Sequence, residues 1–141
     1  MNPLRSLTDY ELFIYALPER YTAIEYSTLV LVRIGKASAI LHGIIGFEND
    51  YRLIVREQTS FEASPGYLET YGYEIWYGSE QLYWYDSQAH PNDATLASTH
   101  PHHKHLPPDI KHHRVPAPDL SFTQPNMPFL IEEIINMVGR P

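Results

Sequence analysis

Apolar side chains at helical spacing lie near both ends of the chain. Between residues 7 and 17 they recur as on one face of a helix, and Pro18 follows, which predicts an N-terminal helix. The same spacing returns between residues 127 and 138, with Asn126 placed as an N-terminal cap and Gly139 as a stop. The sequence therefore predicts one helix near each end.

Five runs between these helices have the alternation or the β-branched, apolar composition of strands. They cover residues 27–34, 37–47, 51–58, 67–77 and 82–85, with turn residues between them. In the third run Leu53 and Val55 share one face and Arg56 lies on the other, while Gly43 and Gly46 predict a bulge or bend in the second run. Short connections favour antiparallel neighbours. The expected fold is α+β: an antiparallel sheet of about five strands, N- and C-terminal helices, and a loop rich in His and Pro.

Length and composition indicate an ordinary globular protein. A chain of 141 residues suits a single domain, residues 1–141, and 43% hydrophobic residues suffice for a core. The absence of Cys excludes disulfides and thiolate chemistry. No apolar run approaches the ~20 residues of a membrane span, and the first residues lack the pattern of a signal peptide. We therefore expect a cytoplasmic protein that does not enter a membrane.

Charge and proline content single out the segment after residue 89. The formal charge of −7 counts against open, non-specific binding of nucleic acid, but Lys104, Lys111 and Arg114 lie close to a tract of His. Seven of the 8 His and eight of the 12 Pro fall between residues 90 and 128. Proline removes backbone donors, so this segment cannot be regular throughout, and such loops are usually functional or disordered.

Three interpretations of this histidine segment compete. In the first, imidazoles bind a metal ion and Asp86 adds an oxygen ligand. The tract lacks a recognisable ligand spacing, such as two His four residues apart on a helix, so we expect no dedicated metal site and no cofactor. In the second, the His side chains perform acid–base catalysis. In the third, their rings pack over the sheet and only satisfy backbone groups.

The acid–base interpretation matches the needs of a ribonuclease. The 2′-hydroxyl must lose a proton, the 5′-oxygen must gain one, and the phosphate charge must be neutralised. Lys104 would stabilise that charge, and Asp86 would orient a His. The candidate catalytic residues are Asp86, His90, His102, His103, Lys104 and His105.

Arg56, Tyr73 and Tyr85 are candidate substrate contacts, with the tyrosines as a platform for base stacking. Each also has a plainer interpretation. Tyrosines at strand spacing more often pack in a core, and charged residues on a half-exposed strand, such as Arg56 and Glu57, usually belong to a solvated face. These two matter for function only if the histidine segment folds back over the end of their strand.

Three motifs resemble the TumE family of toxins. They are Tyr-Glu-Ile-Trp-Tyr at residues 73–77, Leu-Tyr-Trp-Tyr-Asp-Ser-Gln-Ala-His at residues 82–90, and Pro-His-His-Lys-His-Leu at residues 101–106. The resemblance extends from about Tyr51 to Val138. This chain has Trp84 where members usually carry Arg, and Ala89 where they carry Pro.

The resemblance implies the toxin half of a type II toxin–antitoxin pair. Its expected partner is a small helix-turn-helix antitoxin, and its candidate substrate is RNA. The sequence does not decide between a monomer and a homodimer. With the histidine segment, this gives a metal-independent ribonuclease as the expected activity. The alternatives are a non-catalytic protein-interaction domain and a histidine-rich metal-binding protein.

Overall fold

The computed structural model describes residues 2–139, so residues 1, 140 and 141 of the predicted domain lie outside it. Within the described range, helices α1 (Leu7–Tyr15), α2 (Leu17–Arg20) and α3 (Met127–Val138) accompany an antiparallel sheet of eight strands. The strands are β1 (Ile24–Ser27), β2 (Val30–Ile34), β3 (Ser38–Phe47), β4 (Tyr51–Ser60), β5 (Tyr67–Tyr77), β6 (Glu80–Asp86), β7 (His103–His105) and β8 (Arg114–Pro116). The α+β class is confirmed, with more strands than predicted.

Both predicted helices are present, and their ends differ in detail. The Ser6 hydroxyl accepts from the Asp9 N–H at 3.1 Å and begins α1. Pro18 does not simply end this helix, because it occupies the first turn of the short α2, where a missing N–H costs nothing. Helix α3 has the predicted bounds and ends at Gly139. No helix among residues 2–139 combines the length and apolarity needed to cross a membrane.

The first predicted strand is two strands, β1 and β2, which pair with different parts of β3. Gly43 of β3 lets the connection between β1 and β2 pass close to the β3 backbone. Its φ is +143°, and a Cβ there would lie 2.7 Å from the carbonyl oxygen of Thr28, in the connection between β1 and β2. The strand β3 nevertheless pairs with β4 in unbroken register from Ser38 to Gly46, so no bulge interrupts the second run on that side.

The core lies between one face of the sheet and helices α1 and α3. Leu53 and Val55 of β4 are 0% and 2% exposed, as the alternation predicts, and Arg56 points to the other face. We call that other face, opposite helices α1 and α3, the open face. Glu57 was expected in a solvated face, which is wrong. It shares the core face with Val55, is 1% exposed, and accepts hydrogen bonds from the hydroxyls of Tyr10 and Tyr73.

The histidine- and proline-rich segment adds two short strands to the sheet edge beyond β6. His103–His105 pairs with residues 84–86, and Arg114–Pro116 then pairs with His103–His105. Proline is tolerated in β8 because the strand lies at an edge. The predicted loop is thus partly sheet, which accounts for two of the strands that the sequence did not predict.

Candidate active site

The register of β6 and β7 brings one acid and two His to the same place on the open face. Asp86 lies directly opposite His103, and Trp84 lies opposite His105. Because alternate residues of a strand share a face, His103 and His105 point the same way and Lys104 points the other way.

Asp86, His103 and His105 form a compact buried group, here called the Asp–His–His cluster. His103 Nε2 lies 2.8 Å from Asp86 Oδ1, His105 Nε2 lies 3.2 Å from Asp86 Oδ2, and the two Nε2 atoms are 3.1 Å apart. The three residues are only 7%, 0% and 3% exposed. Burial of three such groups together, outside the apolar core, is typical of a functional site.

Backbone carbonyls fix the orientation of both rings. His103 Nδ1 donates to the Pro101 carbonyl at 2.9 Å, and His105 Nδ1 donates to the Ile110 carbonyl at 2.8 Å. A carbonyl can only accept, so each Nδ1 carries the proton of its ring. The His105 ring also stacks on the Trp84 indole at 4.0 Å between centroids. Both Nε2 atoms are thereby directed at the carboxylate.

Asp86 is held as a carboxylate by several donors. The indole N–H of Trp84 donates to Oδ2 and the backbone N–H of Gln88 donates to Oδ1, both at 2.9 Å. Burial opposes ionisation of Asp86, but its contacts with His103 and Gln88 outweigh burial and lower its pKa. Burial likewise opposes the charged form of His103, yet the bond to Asp86 prevails and raises its pKa. The pKa of His105 is lowered, chiefly by burial.

His90 and Arg114 lie beside the cluster. The His90 ring packs edge-on against the His103 ring at 4.8 Å between centroids, and Arg114 Nη1 lies 2.8 and 2.9 Å from the two nitrogens of His90. Arg114 is directly opposite His105 across β7 and β8. Burial and the Arg114 charge lower the pKa of His90, which favours the neutral form of its ring. Both residues line a cleft of about 450 Å³, the size of a small-ligand site.

Arg56 reaches the same region across a glycine. Gly72 of β5 lies directly opposite both Arg56 and Asp86. A Cβ on Gly72 would lie 2.3 Å from Arg56 Nη2, so the guanidinium lies over the bare backbone. Arg56 also lines a groove together with Asp86 and Ser87. The structure therefore brings Arg56 next to the cluster, and the mid-strand glycine is the sequence signal for this close approach.

Two of the predicted catalytic residues lie on the core side of the sheet instead. The Lys104 ammonium lies 4.1 Å from the centroid of the Tyr83 ring, a cation–π contact. His102 Nδ1 shares a hydrogen bond with the Tyr71 hydroxyl, and the two rings stack at 5.7 Å. Lys104 cannot neutralise charge at the cluster, because the sheet separates them.

The two tyrosines predicted to contact substrate are core residues. Tyr73 is 0% exposed and Tyr85 is 3% exposed. The Tyr73 hydroxyl donates to Glu57, and the Tyr85 hydroxyl donates to Glu133 at 3.0 Å. In this structure neither side chain is accessible to a substrate, which fits the alternative that tyrosines at strand spacing pack in the core. Trp84, which the sequence did not single out as a site residue, takes a place beside the cluster.

Comparison with known proteins identifies the family. The family model described as Toxin TumE matches residues 14–138. The chain belongs to the TumE toxin family. The match includes the sheet from β1 to β8, the Asp–His–His cluster and α3, and it begins well before the region where the sequence motifs are specific. No curated protein and no solved structure matches the chain. Membership supports a toxin role and, in general, an antitoxin partner.

Proposed function

We propose that this toxin cleaves RNA at the Asp–His–His cluster and that it belongs to a type II pair. The observation that carries the proposal is the packing of the buried cluster against His90, which together with Arg114 lines a cleft. A toxin must alter an essential cellular component, and a buried polar group beside an open cleft supplies the means to do so chemically.

The cleavage step has three requirements. The 2′-oxygen loses its proton and bonds to phosphorus, the bond from phosphorus to the 5′-oxygen breaks, and the 5′-oxygen gains a proton. A neutral imidazole such as His90 can accept a proton, and the Arg114 guanidinium beside it can hold the non-bridging phosphate oxygens. The 5′-oxygen takes its proton from the charged form of the His103 ring, which the Asp86 carboxylate stabilises. The products are a 2′,3′-cyclic phosphate and a 5′-hydroxyl.

The open face next to the cluster has the character of a track for single-stranded RNA. Arg52 lies over the Trp76 ring at 5.8 Å, and Trp84 and Arg56 line a common groove. Cations interleaved with aromatic rings bind the backbone and stack the bases of single strands. Of the acids in this region, Glu74 accepts hydrogen bonds from Trp76 Nε1 at 3.2 Å and from Gln81 at 3.3 Å, and Asp50 Oδ1 lies 3.8 Å from Arg52 Nε. This local arrangement reconciles RNA binding with the overall charge of −7.

The direct test is cleavage of end-labelled RNA by purified toxin. His90→Ala and Arg114→Ala should reduce the rate by at least about 100-fold, the usual effect of losing a proton-transfer or charge-stabilising group. His112→Ala is the matched control, because His112 is an exposed His paired with Asp109 at 3.1 Å in the same segment. A wild-type toxin that cleaves no RNA, or variants that cleave as fast as the control, would contradict the proposal.

For the antitoxin we propose a small basic helix-turn-helix protein that covers the histidine segment. An acidic surface suits a basic partner, and Glu132 of α3 is exposed and adds to it. Glu133 adds less to this surface, because its carboxylate accepts hydrogen bonds from the hydroxyls of Tyr83 and Tyr85. The neighbouring gene product should rescue growth, co-purify, and protect residues 90–114 from hydrogen exchange. A stable complex that leaves this segment unprotected would place the interface elsewhere.

A further inference from the structure

We propose that Asp86, His103 and His105 bind a divalent transition-metal ion, for which zinc is the best fit. The inference deepens the proposed function, because it concerns the same cluster, but metal binding is measurable without RNA. The sequence predicted no dedicated metal site because no helical ligand spacing was present. The tract indeed has no helical spacing, but strand pairing places one carboxylate oxygen and two ring nitrogens within 4.8 Å of one another.

The count of hydrogen-bond donors is the first reason. Each ring uses its Nδ1 proton on a backbone carbonyl, so a neutral His103 or His105 presents only a lone pair at Nε2. A carboxylate also only accepts. Three contacts of 2.8, 3.1 and 3.2 Å therefore join acceptors to acceptors. One added proton satisfies one of these contacts, whereas a cation at the centre satisfies all three.

The surroundings of the ligands are the second reason. In metal sites the ring nitrogen away from the metal donates to a carbonyl or carboxylate, which fixes the ring and strengthens the ligand. Both His rings of the cluster do this. The carboxylate is held in turn by Trp84 Nε1 and the Gln88 N–H, and Trp84 also stacks on His105. The frame that would hold a metal is thus complete around all three ligands.

Ligand type and spacing point to zinc. Ligand atoms about a tetrahedral zinc ion, at bonds of ~2.1 Å, lie roughly 3.4 Å apart. The contacts of 2.8 to 3.2 Å in the cluster need only a small expansion to reach this value. Two His and one carboxylate leave a coordination position for water or a substrate oxygen, as in catalytic zinc sites. Such an ion would stabilise negative charge on a phosphate or leaving oxygen, the role that Lys104 cannot fill from the core side.

The experiment uses full-length toxin carrying a cleavable tag without His, expressed with its antitoxin where growth requires it. Elemental analysis of the isolated toxin should find one zinc per chain. After chelation, added zinc should raise the melting temperature in proportion to the logarithm of its concentration. Added cobalt should give the visible absorption bands of a bound ion with nitrogen and oxygen ligands.

Variants assign the ion to the cluster. His103→Ala and His105→Ala should weaken zinc binding by more than about 100-fold, beyond the usual loss for a supporting contact, whereas Trp84→Phe should weaken it by about 10-fold. His112→Ala should bind zinc as the wild type does. Because the alanine variants remove buried rings, Asp86→Asn provides a second test. It keeps the size of the side chain, should fold, and should lose the stabilisation by zinc.

Three results would overturn the inference: a folded wild-type toxin that takes up no zinc, binding lost in His112→Ala but kept in His105→Ala, or several weakly held ions per chain. The last two describe adventitious binding by the His-rich segment. The ribonuclease activity and the metal site can be refuted independently of each other. Zinc bound without any RNA cleavage would refute the ribonuclease and leave the metal site, whereas cleavage by a zinc-free, chelator-resistant toxin would do the opposite.

Discussion

Removal of the Tyr10 hydroxyl should destabilise the toxin in a pH-dependent way. Tyr10 is 0% exposed, and its hydroxyl donates to Glu57 Oε1, while the Tyr73 hydroxyl donates to Oε2. This network joins α1 to the two strands that carry Arg56 and Gly72. Tyr10→Phe keeps the ring and deletes one of the two donors to a buried carboxyl group.

The magnitude follows from the charge state of Glu57. Burial raises the pKa of Glu57, and the hydrogen bonds from Tyr10 and Tyr73 act against that rise. A carboxyl group with a raised pKa contributes stability that is present below the unfolded value of ~4.3 and is lost as the pH rises through the folded pKa. Tyr10→Phe removes a bond that favours the charged form, so the loss with rising pH becomes larger. We expect a cost of about 1 kcal/mol at pH 4 and about 2 kcal/mol at pH 8.

The assay is urea unfolding of wild-type and variant toxin at several pH values between 4 and 8. At pH 8 the melting temperature should also fall by about 8 °C, at ~4 °C per kcal/mol for a chain of this size. Tyr77→Phe is the matched control, because Tyr77 is 46% exposed and its change should cost less than about 0.5 kcal/mol. A Tyr10→Phe cost equal to that of the control, or equal at both pH values, would refute the reasoning.

Two glycines support further predictions. Gly72→Ala should displace the Arg56 guanidinium, since Nη2 would lie 2.3 Å from the new Cβ. The variant should bind RNA more weakly, and the slope of log affinity against log salt concentration should fall by about 1, with little change in melting temperature. An unchanged salt slope would count against the Arg56 contact. Gly43→Ala should cost more than about 2 kcal/mol in thermal unfolding, because it adds a backbone clash to a strained φ. Gly35→Ala, at φ +67° with open space around it, should cost only about 1 kcal/mol, and equal costs would remove the clash as the cause.

Helices and strands that are long enough to show a clear hydrophobic period can be predicted from the sequence alone. The faces of β4 and the bounds of α3 follow from alternation and helical spacing, because Val55 and Arg56 sit on opposite sides of a strand whatever it pairs with. Strands of three residues have too little periodicity to be recognised. His103–His105 is a strand only because residues 84–86 offer an edge 19 residues away along the chain.

The candidate site was found by type of residue and misjudged by geometry. The four consecutive residues 102–105 look like one cluster in the sequence, but the alternation of side chains along a strand places Lys104 on the core side and His103 on the open face. The burial of Glu57 also could not be predicted from the neighbouring residues in the sequence. Its partner Tyr10 lies 47 residues away, and only the packing of α1 on the sheet brings the two together.

Growth arrest on induction of the toxin without its antitoxin tests the central claim, that the Asp–His–His cluster is the active site, most directly. His105→Ala and Lys104→Met change neighbouring residues of one strand that point to opposite faces of the sheet. At equal soluble levels, confirmed to be folded by circular dichroism, His105→Ala should allow normal growth and Lys104→Met should still arrest it. Arrest by folded His105→Ala, or loss of arrest only in Lys104→Met, would contradict the account.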